Sequence, residues 1–298
     1  MSALTLGFIG MGLMGVPMSL RLLDAGFRVN VWNRNPDKVQ PATDAGAHAC
    51  ADIQTLVESS DILLTCVTDT DAMDAVVFGE QGIVHFANEQ QALIDFSSIA
   101  PDATRQFAQR LLEKTGCRWI DAPVSGGVAG AEQGTLAIMA GGDATLIEQL
   151  QPVFAPLSQR VTHMGPVGSG QVTKVCNQMI VSCNVLVMAE VLALAEKAGV
   201  DATQIPTALK GGFADSIPLQ LTGSRMANKD FDEVKWHVKT LLKDLTLAET
   251  LTDQIGTSTP MAALGKQLMQ QHGDSGLSEK DPATLITRYL QAEVDASQ

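Results

Sequence analysis

The chain of 298 residues has few cysteines, and their spacing excludes two kinds of cross-link. There are five, an odd number, and no CxxC motif occurs. A disulfide framework or a cysteine-based zinc site is therefore not expected, whereas free thiols in a reducing compartment are. The five histidines are scattered and no HExxH motif is present, so the sequence predicts no metal site.

Aromatic and basic side chains are also scarce. Phe, Trp and Tyr make up 4% of the chain, which leaves little surface on which nucleic-acid bases could stack. Lys and Arg number 20 against 33 Asp and Glu, and the resulting net charge of −13 repels phosphate. We therefore expect no nucleic-acid partner and no anionic membrane surface, while a local basic pocket for a small anion remains compatible with this charge.

Long apolar runs are missing as well. The most apolar stretch, Met179 to Ala189, contains Asn184 and is closed by Glu190, so it is too short and too polar to span a bilayer. The N-terminus lacks the basic segment of a signal peptide. These two observations predict a cytoplasmic protein without membrane contact.

What the sequence does contain is an alternation of strands and helices over its first 120 residues. A helical stretch from Met14 to Ala25 follows the first strand and is capped by Gly26. Strands alternating with helices are typical of a doubly wound, mostly parallel sheet, so we predict an α/β Rossmann domain over residues 1–165. The predicted strands are Leu4 to Ile9, Arg28 to Trp32, Ile62 to Val67, Ala92 to Phe96 and Arg118 to Asp121.

The pattern changes after Gly165. Gln171 to Lys197 is one uninterrupted helical stretch without Pro or Gly, and it is apolar on most sides. We expect it to be a buried interdomain helix that leads into an all-α C-terminal domain over residues 166–298. The further predicted helices are Ala202 to Leu209, Ser216 to Ala227, Val234 to Gln254, Met261 to His272 and Pro282 to Ala296.

A glycine-rich loop joins the first strand to the first helix. It reads Gly10-Met11-Gly12-Leu13-Met14-Gly15, which is the G-x-G-x-x-G pattern in the strand–turn–helix context that a dinucleotide site requires. Gly10 would allow the tight turn, Gly12 the close approach of a pyrophosphate, and Gly15 the packing of helix on strand. The alternative is that these glycines only turn the chain.

The end of the second strand indicates which cofactor is used. A site for NAD places Asp or Glu there to bind the ribose hydroxyl, but this chain has Asn33 and Arg34. A cation at this position pairs with a 2′-phosphate. We therefore expect NADP(H) to be the preferred cofactor, and NAD(H) remains the alternative. The alternative interpretation of Arg34 is a solvated cation on the surface.

Two further turns are expected to face the dinucleotide, because ligands of such sheets bind beyond the carboxyl ends of the strands. The residues concerned are Cys66, Val67 and Thr68 after the third predicted strand, and Ser97 and Ser98 after the fourth.

Four motifs in this order resemble the β-hydroxyacid dehydrogenase family, whose members include 3-hydroxyisobutyrate dehydrogenase and tartronate semialdehyde reductase. They are GFIGMGLMGVPM, DAPVSGG from Asp121, GSGQVTKVCNQ from Gly168, and LLKDL from Leu241. The resemblance implies a Rossmann domain with a helical domain, and hydride transfer between nicotinamide and a small 3-hydroxyacid or its semialdehyde. GGFADS, from Gly211, is most similar to the tartronate semialdehyde reductase branch, which implies 2-hydroxy-3-oxopropionate and glycerate.

In the family, the lysine of the third motif exchanges the proton of the substrate hydroxyl, and this position is Lys174. The residues themselves support that role, because Lys174 is flanked by Val172, Val175 and Cys176 in an apolar helix. Burial there disfavours the charged ammonium, and a lysine that holds its proton less firmly can accept and return one. The alternative is a lysine that extends from the helix to water.

The resemblance also implies the residues that hold a small carboxylate-bearing substrate. Ser125, Gly126 and Gly127 form a glycine-rich turn whose backbone N–H groups and hydroxyl can cradle a carboxylate. Asn177 and Gln178 follow Lys174 on its helix face, and either amide could bind the hydroxyl. Phe213 and Ser216 are expected to line the pocket, and Lys243 to lie close to cofactor and substrate.

Alternative functions remain open from the sequence. Dehydrogenases of 3-hydroxyisobutyrate, serine or another 3-hydroxyacid would share these motifs, whereas Lys174 argues against an imine reductase. The alternative that is not an enzyme is an interaction module that binds the cofactor without catalysis. The apolar helical half of the chain predicts a homodimer or homotetramer.

Overall fold

A mostly parallel sheet organises the first part of the chain in the computed structural model, which describes residues 4–290. Its strands are β1 (Thr5–Ile9), β2 (Arg28–Trp32), β3 (His48–Ala49), β4 (Ile62–Thr65), β5 (Ala92–Asp95), β6 (Arg118–Asp121), β7 (Val124–Ser125), β8 (Leu136–Gly141) and β9 (Ser158–Gly165). The order is β3-β2-β1-β4-β5-β6-β8-β7, with β9 paired to β8. The run β3-β2-β1-β4-β5-β6 is parallel throughout and has the Rossmann strand order.

Side chains from successive residues of the central strands enter two different cores. Phe8 of β1 and Leu64 of β4 are buried in one core, while Ile9 and Leu63 are buried in the other. Because side chains alternate across a strand, apolar residues at every position mean that both faces of the sheet are covered. This is why the strands are continuous apolar runs.

The helices of the first part follow the strands in turn. They are α1 (Gly15–Asp24), α2 (Gln40–Asp44), α3 (Ile53–Glu58), α4 (Thr70–Phe78), α5 (Pro101–Thr115), α6 (Gly127–Gln133), α7 (Ala144–Gln149) and α8 (Gln151–Phe154). Several begin at an aspartate that accepts a hydrogen bond from a backbone N–H of the first turn, as Asp52 does in α3 and Asp143 in α7.

The chain divides into two compact units, Met1–Lys174 and Val175–Gln298. The helix α9 (Ser169–Lys197) belongs to both. In the second unit, described to residue 290, it is followed by α10 (Ile205–Leu209), α11 (Ser224–Asn228), α12 (Val238–Ile255), α13 (Pro260–His272) and α14 (Thr287–Leu290). The core of this unit packs buried residues of α9, such as Val185 and Leu192, with residues of α12 and α13 such as Leu245 and Met269.

The predicted fold class, a Rossmann domain followed by a helical domain with a long connecting helix, is confirmed. Several bounds differ. The sequence did not predict β3, β7, β8 or β9, and the helix expected from Val234 begins at Val238. Part of the predicted helix Pro282 to Ala296 lies outside the described residues; Pro282–Ile286 forms a 3-10 helix and Thr287–Leu290 an α-helix.

The long helix α9 is less buried than its composition predicts. Ile180 and Leu194 are 69% and 70% exposed, and Val187 and Val191 are also exposed. By length and composition this helix would suffice to cross a membrane, with 44% of its most apolar window buried in the protein. Core helices of soluble proteins have the same length and composition, so this property is weak support for a membrane span.

Candidate active site

The glycine-rich loop is shaped by two glycines that cannot be replaced and one that faces open space. A Cβ on Gly10, whose φ is +105°, would lie 2.2 Å from the carbonyl oxygen of Cys66, and a Cβ on Gly15 would lie 1.9 Å from the oxygen of Gly10. No heavy atom lies within 4 Å of a Cβ built on Gly12. The loop therefore leaves room at Gly12, before the N-terminus of α1, for a group that approaches the backbone closely.

The other loop residues differ in what they expose. The side chain of Met11 is buried in the core, whereas Leu13 is exposed and Met14 is half-buried. At Met11 the backbone N–H is used within the protein, because it donates to Oδ1 of Asn33 at 2.9 Å.

Asn33 and Arg34 lie immediately after β2, beside this loop. The Asn33 amide is engaged on both sides, accepting from Met11 N–H and donating to the carbonyl oxygen of Asn35 at 2.8 Å. Asn33 thus ties the glycine loop to the end of β2. Arg34 is exposed and carries a positive charge at the same strand end.

The turns after β4 and β5 are joined to each other. The Val67 N–H donates to Oγ of Ser97 at 2.8 Å, and Ala100 N–H donates to Oγ1 of Thr70 at 3.1 Å. The sheet therefore brings Cys66, Val67 and Thr68 next to the turn that contains Ser97 and Ser98. Burial and the neighbouring Asp95 raise the pKa of the Cys66 thiol to about 12, so this thiol stays neutral.

The segment Ser125–Gly127 forms the turn between β7 and α6. Gly126 and Gly127 have φ of +139° and +62°, values that L side chains rarely adopt. A Cβ on Gly126 would lie 3.1 Å from Leu136, but a Cβ on Gly127 would have no atom within 4 Å. This turn, like the one at Gly12, offers backbone that a small anion could approach.

Lys174 lies on α9, in its second turn, and is half-buried rather than buried. Of its flanking residues, Val175 is buried and Cys176 is exposed. The start of this helix is held by two residues to which the sequence analysis gave no role. Asp121 accepts from the N–H groups of Gly168 and Gln171, and the Gln171 side chain bonds the Ser97–Ile99 turn.

Buried carboxyl groups form a pair at the carboxyl ends of β5 and β6. Asp95 and Asp121 lie opposite each other in the parallel register, and both are fully buried. Burial raises the pKa of Asp95 to about 7 and that of Asp121 to about 6. The sequence signals for this pair are an acidic residue at the end of each strand and, for Asp121, its place at the start of the DAPVSGG motif.

In the second unit, a chain of polar contacts connects α9 to α12. Asn177 donates to Oε1 of Gln178 at 2.8 Å, and Gln178 donates to Oδ2 of Asp244. Lys243 forms an ion pair with Asp244, 3.5 Å from its Oδ1. Gln178 and Asp244 are buried, whereas Asn177 is half-buried. Two of the predicted residues, Gln178 and Lys243, thus meet at Asp244.

Phe213 and Ser216 lie in the loop before a helical stretch that includes Leu219–Gly223. The side chain of Phe213 is fully exposed. Ser216 accepts from the N–H of Leu219 at 3.1 Å, so its hydroxyl caps that stretch. Asp215 closes the loop by accepting from the Gly211 N–H at 2.7 Å.

Within residues 4–290, no group of three or more His, Cys, Asp or Glu side chains is placed to hold a metal ion.

Two family models together match most of the chain. The NAD-binding domain of 6-phosphogluconate dehydrogenase matches residues 5–165, and the model described as NAD-binding of NADP-dependent 3-hydroxyisobutyrate dehydrogenase matches residues 168–289. These two ranges contain the glycine loop and Lys174, respectively.

Whole-chain comparisons give the same picture. The chain is 37% identical over 281 residues to a 2-hydroxy-3-oxopropionate reductase of Escherichia coli, covering 94% of this chain and 95% of the relative. It is 29% identical to a 2-(hydroxymethyl)glutarate dehydrogenase of Eubacterium barkeri, covering 97% and 96%. The structure of Mycobacterium tuberculosis 3-hydroxyisobutyrate dehydrogenase with L-serine superposes with a TM-score of 0.87 at 27% identity, covering 97% and 100%.

Proposed function

Because the chain belongs to the β-hydroxyacid dehydrogenase family, in which it is an NAD(P)-dependent hydroxyacid dehydrogenase, we propose that it reduces tartronate semialdehyde (2-hydroxy-3-oxopropionate) to glycerate. The observation that carries the proposal is that one unit holds two turns with open glycine backbone, at Gly12 and Gly127, together with Lys174. The identity of 37% to a reductase of this substrate favours it over other 3-hydroxyacids.

The first unit fits a nicotinamide dinucleotide at the carboxyl ends of its strands. The backbone N–H groups of Gly12 and Leu13, in the loop before α1, would hold the pyrophosphate, because Gly12 leaves the space that a side chain would fill and the N–H of Met11 is already donated to Asn33. The turns of Val67 and Ser98 would border the rest of the dinucleotide. When bound, the nicotinamide supplies the hydride acceptor or donor.

Lys174 is the proposed catalytic residue. In the reduction, its ammonium gives a proton to the carbonyl oxygen that becomes the hydroxyl; in the oxidation, its amine takes that proton back. Ser125, Gly126 and Gly127 bind the substrate carboxylate. Asn177 is the amide proposed to bind the substrate oxygen.

The second unit supplies the supporting groups for this assignment. The buried Gln178 is already held by Asn177 and Asp244, so it orients the amide of Asn177. Lys243, paired with Asp244, adds positive charge for the cofactor, and Phe213 and Ser216 border the substrate. We assign cofactor binding to a domain of residues 1–165, and substrate binding and oligomerisation to a domain of residues 166–298. We propose that the protein is cytoplasmic.

A kinetic screen tests the proposed substrate. Tartronate semialdehyde with NADPH is expected to give the highest kcat/KM, against glycerate, 3-hydroxyisobutyrate and serine with NADP⁺. A higher value for 3-hydroxyisobutyrate would favour that second candidate, which the match of residues 168–289 supports. No turnover of any 3-hydroxyacid or semialdehyde would identify a non-catalytic cofactor-binding module.

Arg34 is expected to select NADP(H). Arg34→Ala should lower kcat/KM for NADP(H) by on the order of tenfold or more, and leave that for NAD(H) nearly unchanged, because only the former carries a 2′-phosphate. Arg118→Ala is the matched control. Arg118 is also an exposed arginine, but it lies at the amino end of β6, whereas Arg34 follows the carboxyl end of β2. A wild-type preference for NAD(H), or equal losses with both cofactors, contradicts the assignment.

We also propose a homodimer or homotetramer that covers the exposed apolar face of α9. Ile180, Val187, Val191 and Leu194 follow one another at helical spacing on that face. Ile180→Glu combined with Leu194→Glu should shift the species seen by light scattering towards the monomer of 31.6 kDa. Leu112→Glu, which changes an exposed leucine of α5, should leave the oligomer intact. A wild-type monomer at micromolar concentration rules the proposal out.

A further inference from the structure

The N-terminus of the helix that carries Lys174 is hydrogen-bonded to a buried carboxylate. Asp121 Oδ1 accepts from the Gly168 N–H at 2.7 Å, and Oδ2 accepts from the Gln171 N–H at 2.9 Å. These N–H groups lie at the start of α9, where a helix leaves donors without partners and favours negative charge. Asp121 therefore acts as a cap supplied from a distant strand.

Two glycines allow the start of α9 to approach the Asp121 carboxylate this closely. A Cβ on Gly170 would lie 2.3 Å from the carbonyl oxygen of Met139, and a Cβ on Gly141 would lie 2.5 Å from Oδ1 of Asp121. Any side chain at either position would therefore push the helix start away from the carboxylate. Gly170 of the GSGQVTK segment is explained by this close approach, without reference to a ligand, whereas Gly168 has a φ of +90° and lies against the side chain of Arg105.

Gln171 connects the same helix turn to a second loop. Its Nε2 donates to the carbonyl oxygen of Ser97 at 2.8 Å, and its Oε1 accepts from the Ile99 N–H at 3.3 Å. Gln171 is 1% exposed, so both hydrogen bonds are shielded from water. The Ser97–Ile99 turn is the one that also bonds Val67 on the cofactor side.

Two side chains thus join three segments of the proposed site. Asp121 ends β6, four residues before Ser125 of the substrate turn. Gln171 precedes Lys174 by three residues, about 4.5 Å along the helix axis and on the same side. A displaced helix start would carry the lysine amine with it.

We propose that Asp121 and Gln171 are positioning residues for hydride transfer, which fix the start of α9 so that Lys174 meets the substrate in a reactive geometry. The inference rests on the proposed function, in which Lys174 moves the proton. A misplacement of about 1 Å can lower the rate of a catalysed step by up to on the order of 10²-fold without weakening binding.

The first test replaces Gln171 by methionine, which keeps the length of the side chain and removes both of its hydrogen bonds. We expect kcat to fall by on the order of tenfold or more, with KM for substrate and cofactor changed by less than about threefold. The matched control is Gln91→Met. Gln91 is 4% exposed and its Nε2 donates to the carbonyl oxygens of Val57 and Ser60, but it touches no proposed site residue. Equal kcat losses in the two variants, or a loss confined to KM, overturn the inference.

A second pair of variants covers the case in which Gln171→Met does not fold. Asp121→Asn keeps one acceptor of the helix cap and is compared with Asp143→Asn, which alters the cap of α7. We expect the same kcat-specific loss in Asp121→Asn only.

A readout without turnover separates this inference from the proposed function. The rate at which an acylating reagent modifies Lys174, measured by mass spectrometry, should change in Gln171→Met and remain at the wild-type value in Gln91→Met. If the wild type turns over no substrate, the proposed function fails while this labelling still decides whether Gln171 positions Lys174. Unchanged labelling in Gln171→Met overturns the positioning role.

Discussion

Lys174→Ala is expected to lower kcat by about 10²–10⁴-fold, the usual loss when a general acid or base is removed. The cofactor affinity should stay near the wild-type value, because the backbone of the glycine loop around Gly10 and Gly12, and not Lys174, is proposed to bind the dinucleotide. Lys174→Arg should restore little activity, since a guanidinium does not release its proton near neutral pH.

The control for Lys174 lies on the same helix. Lys197 is exposed in the last turn of α9, so Lys197→Ala removes the same charge and side chain far from the helix start. Its kcat should match the wild type. If a folded Lys174→Ala enzyme with a near wild-type cofactor dissociation constant keeps more than about a tenth of wild-type kcat, proton transfer belongs to another group, and Lys243 is the next candidate.

The central strands and the glycine loop could be predicted because their signals are local. Arg28–Trp32 and Arg118–Asp121 form strands over the predicted bounds. A strand that is buried on both faces has a short run of apolar residues as its sequence. The loop can be recognised from its own glycines and from the helix that follows it.

Two of the strands that were missed, β7 and β9, depend on a partner strand elsewhere in the chain. β9 is largely exposed and polar, so its sequence carries no run of apolar residues, and its strand conformation comes from pairing with β8. β7 has only two residues and pairs antiparallel with β8. Neither pattern is visible before the partner strand is known.

The segment before α12 shows how tertiary contacts override a helical pattern. The N–H of Lys235 donates to Oδ2 of the buried Asp281 at 2.9 Å, and Val238 N–H donates to the carbonyl oxygen of Lys280 at 2.9 Å. These bonds hold residues 234–237 out of the helix that their composition favours, so α12 begins at Val238.

The same distinction between local and long-range signals applies to the residues of the proposed site. The motifs identify Lys174, Ser125 and the glycines, because each lies in a short characteristic segment. Asp121 and Gln171 act through hydrogen bonds between residues 47 to 74 positions apart, which no local pattern encodes. Both residues lie within the quoted motifs DAPVSGG and GSGQVTKVCNQ, but the motifs alone do not show which groups their side chains bind.

Asp95 makes the folded protein sensitive to pH. Its Oδ1 accepts from Thr65 Oγ1 at 3.2 Å and from Ser97 N–H at 2.8 Å, while its buried Oδ2 has no hydrogen-bond partner among the described residues. Burial, with a contribution from the charge of Asp121, raises the pKa of Asp95 from 3.8 to about 7. Ionised Asp95 is therefore unfavourable in the folded state.

The sign of the effect follows from proton binding. Below pH 3.8 the carboxyl is protonated in folded and unfolded chains alike. Between that value and about 7, the folded chain keeps a proton that the unfolded chain has released, so the free energy of unfolding falls as the pH rises through this window. Above pH 7 the loss is complete.

Asp95→Asn, which stays neutral at every pH, should therefore gain stability relative to the wild type as the pH rises. We expect the difference in free energy of unfolding between variant and wild type to shift by about 2–3 kcal/mol in favour of the variant from pH 5 to pH 8.

Urea unfolding at both pH values measures this shift. Replacing Trp236 by phenylalanine in all proteins compared leaves Trp32 and Trp119, so that fluorescence reports the unit that contains Asp95. Asp52→Asn is the control: the backbone N–H of Thr55 lowers the pKa of Asp52, so its stability difference should be constant from pH 5 to 8. A difference for Asp95→Asn that is equally constant would show that Asp95 is ionised in the folded protein throughout this range, and that its unpartnered oxygen is solvated.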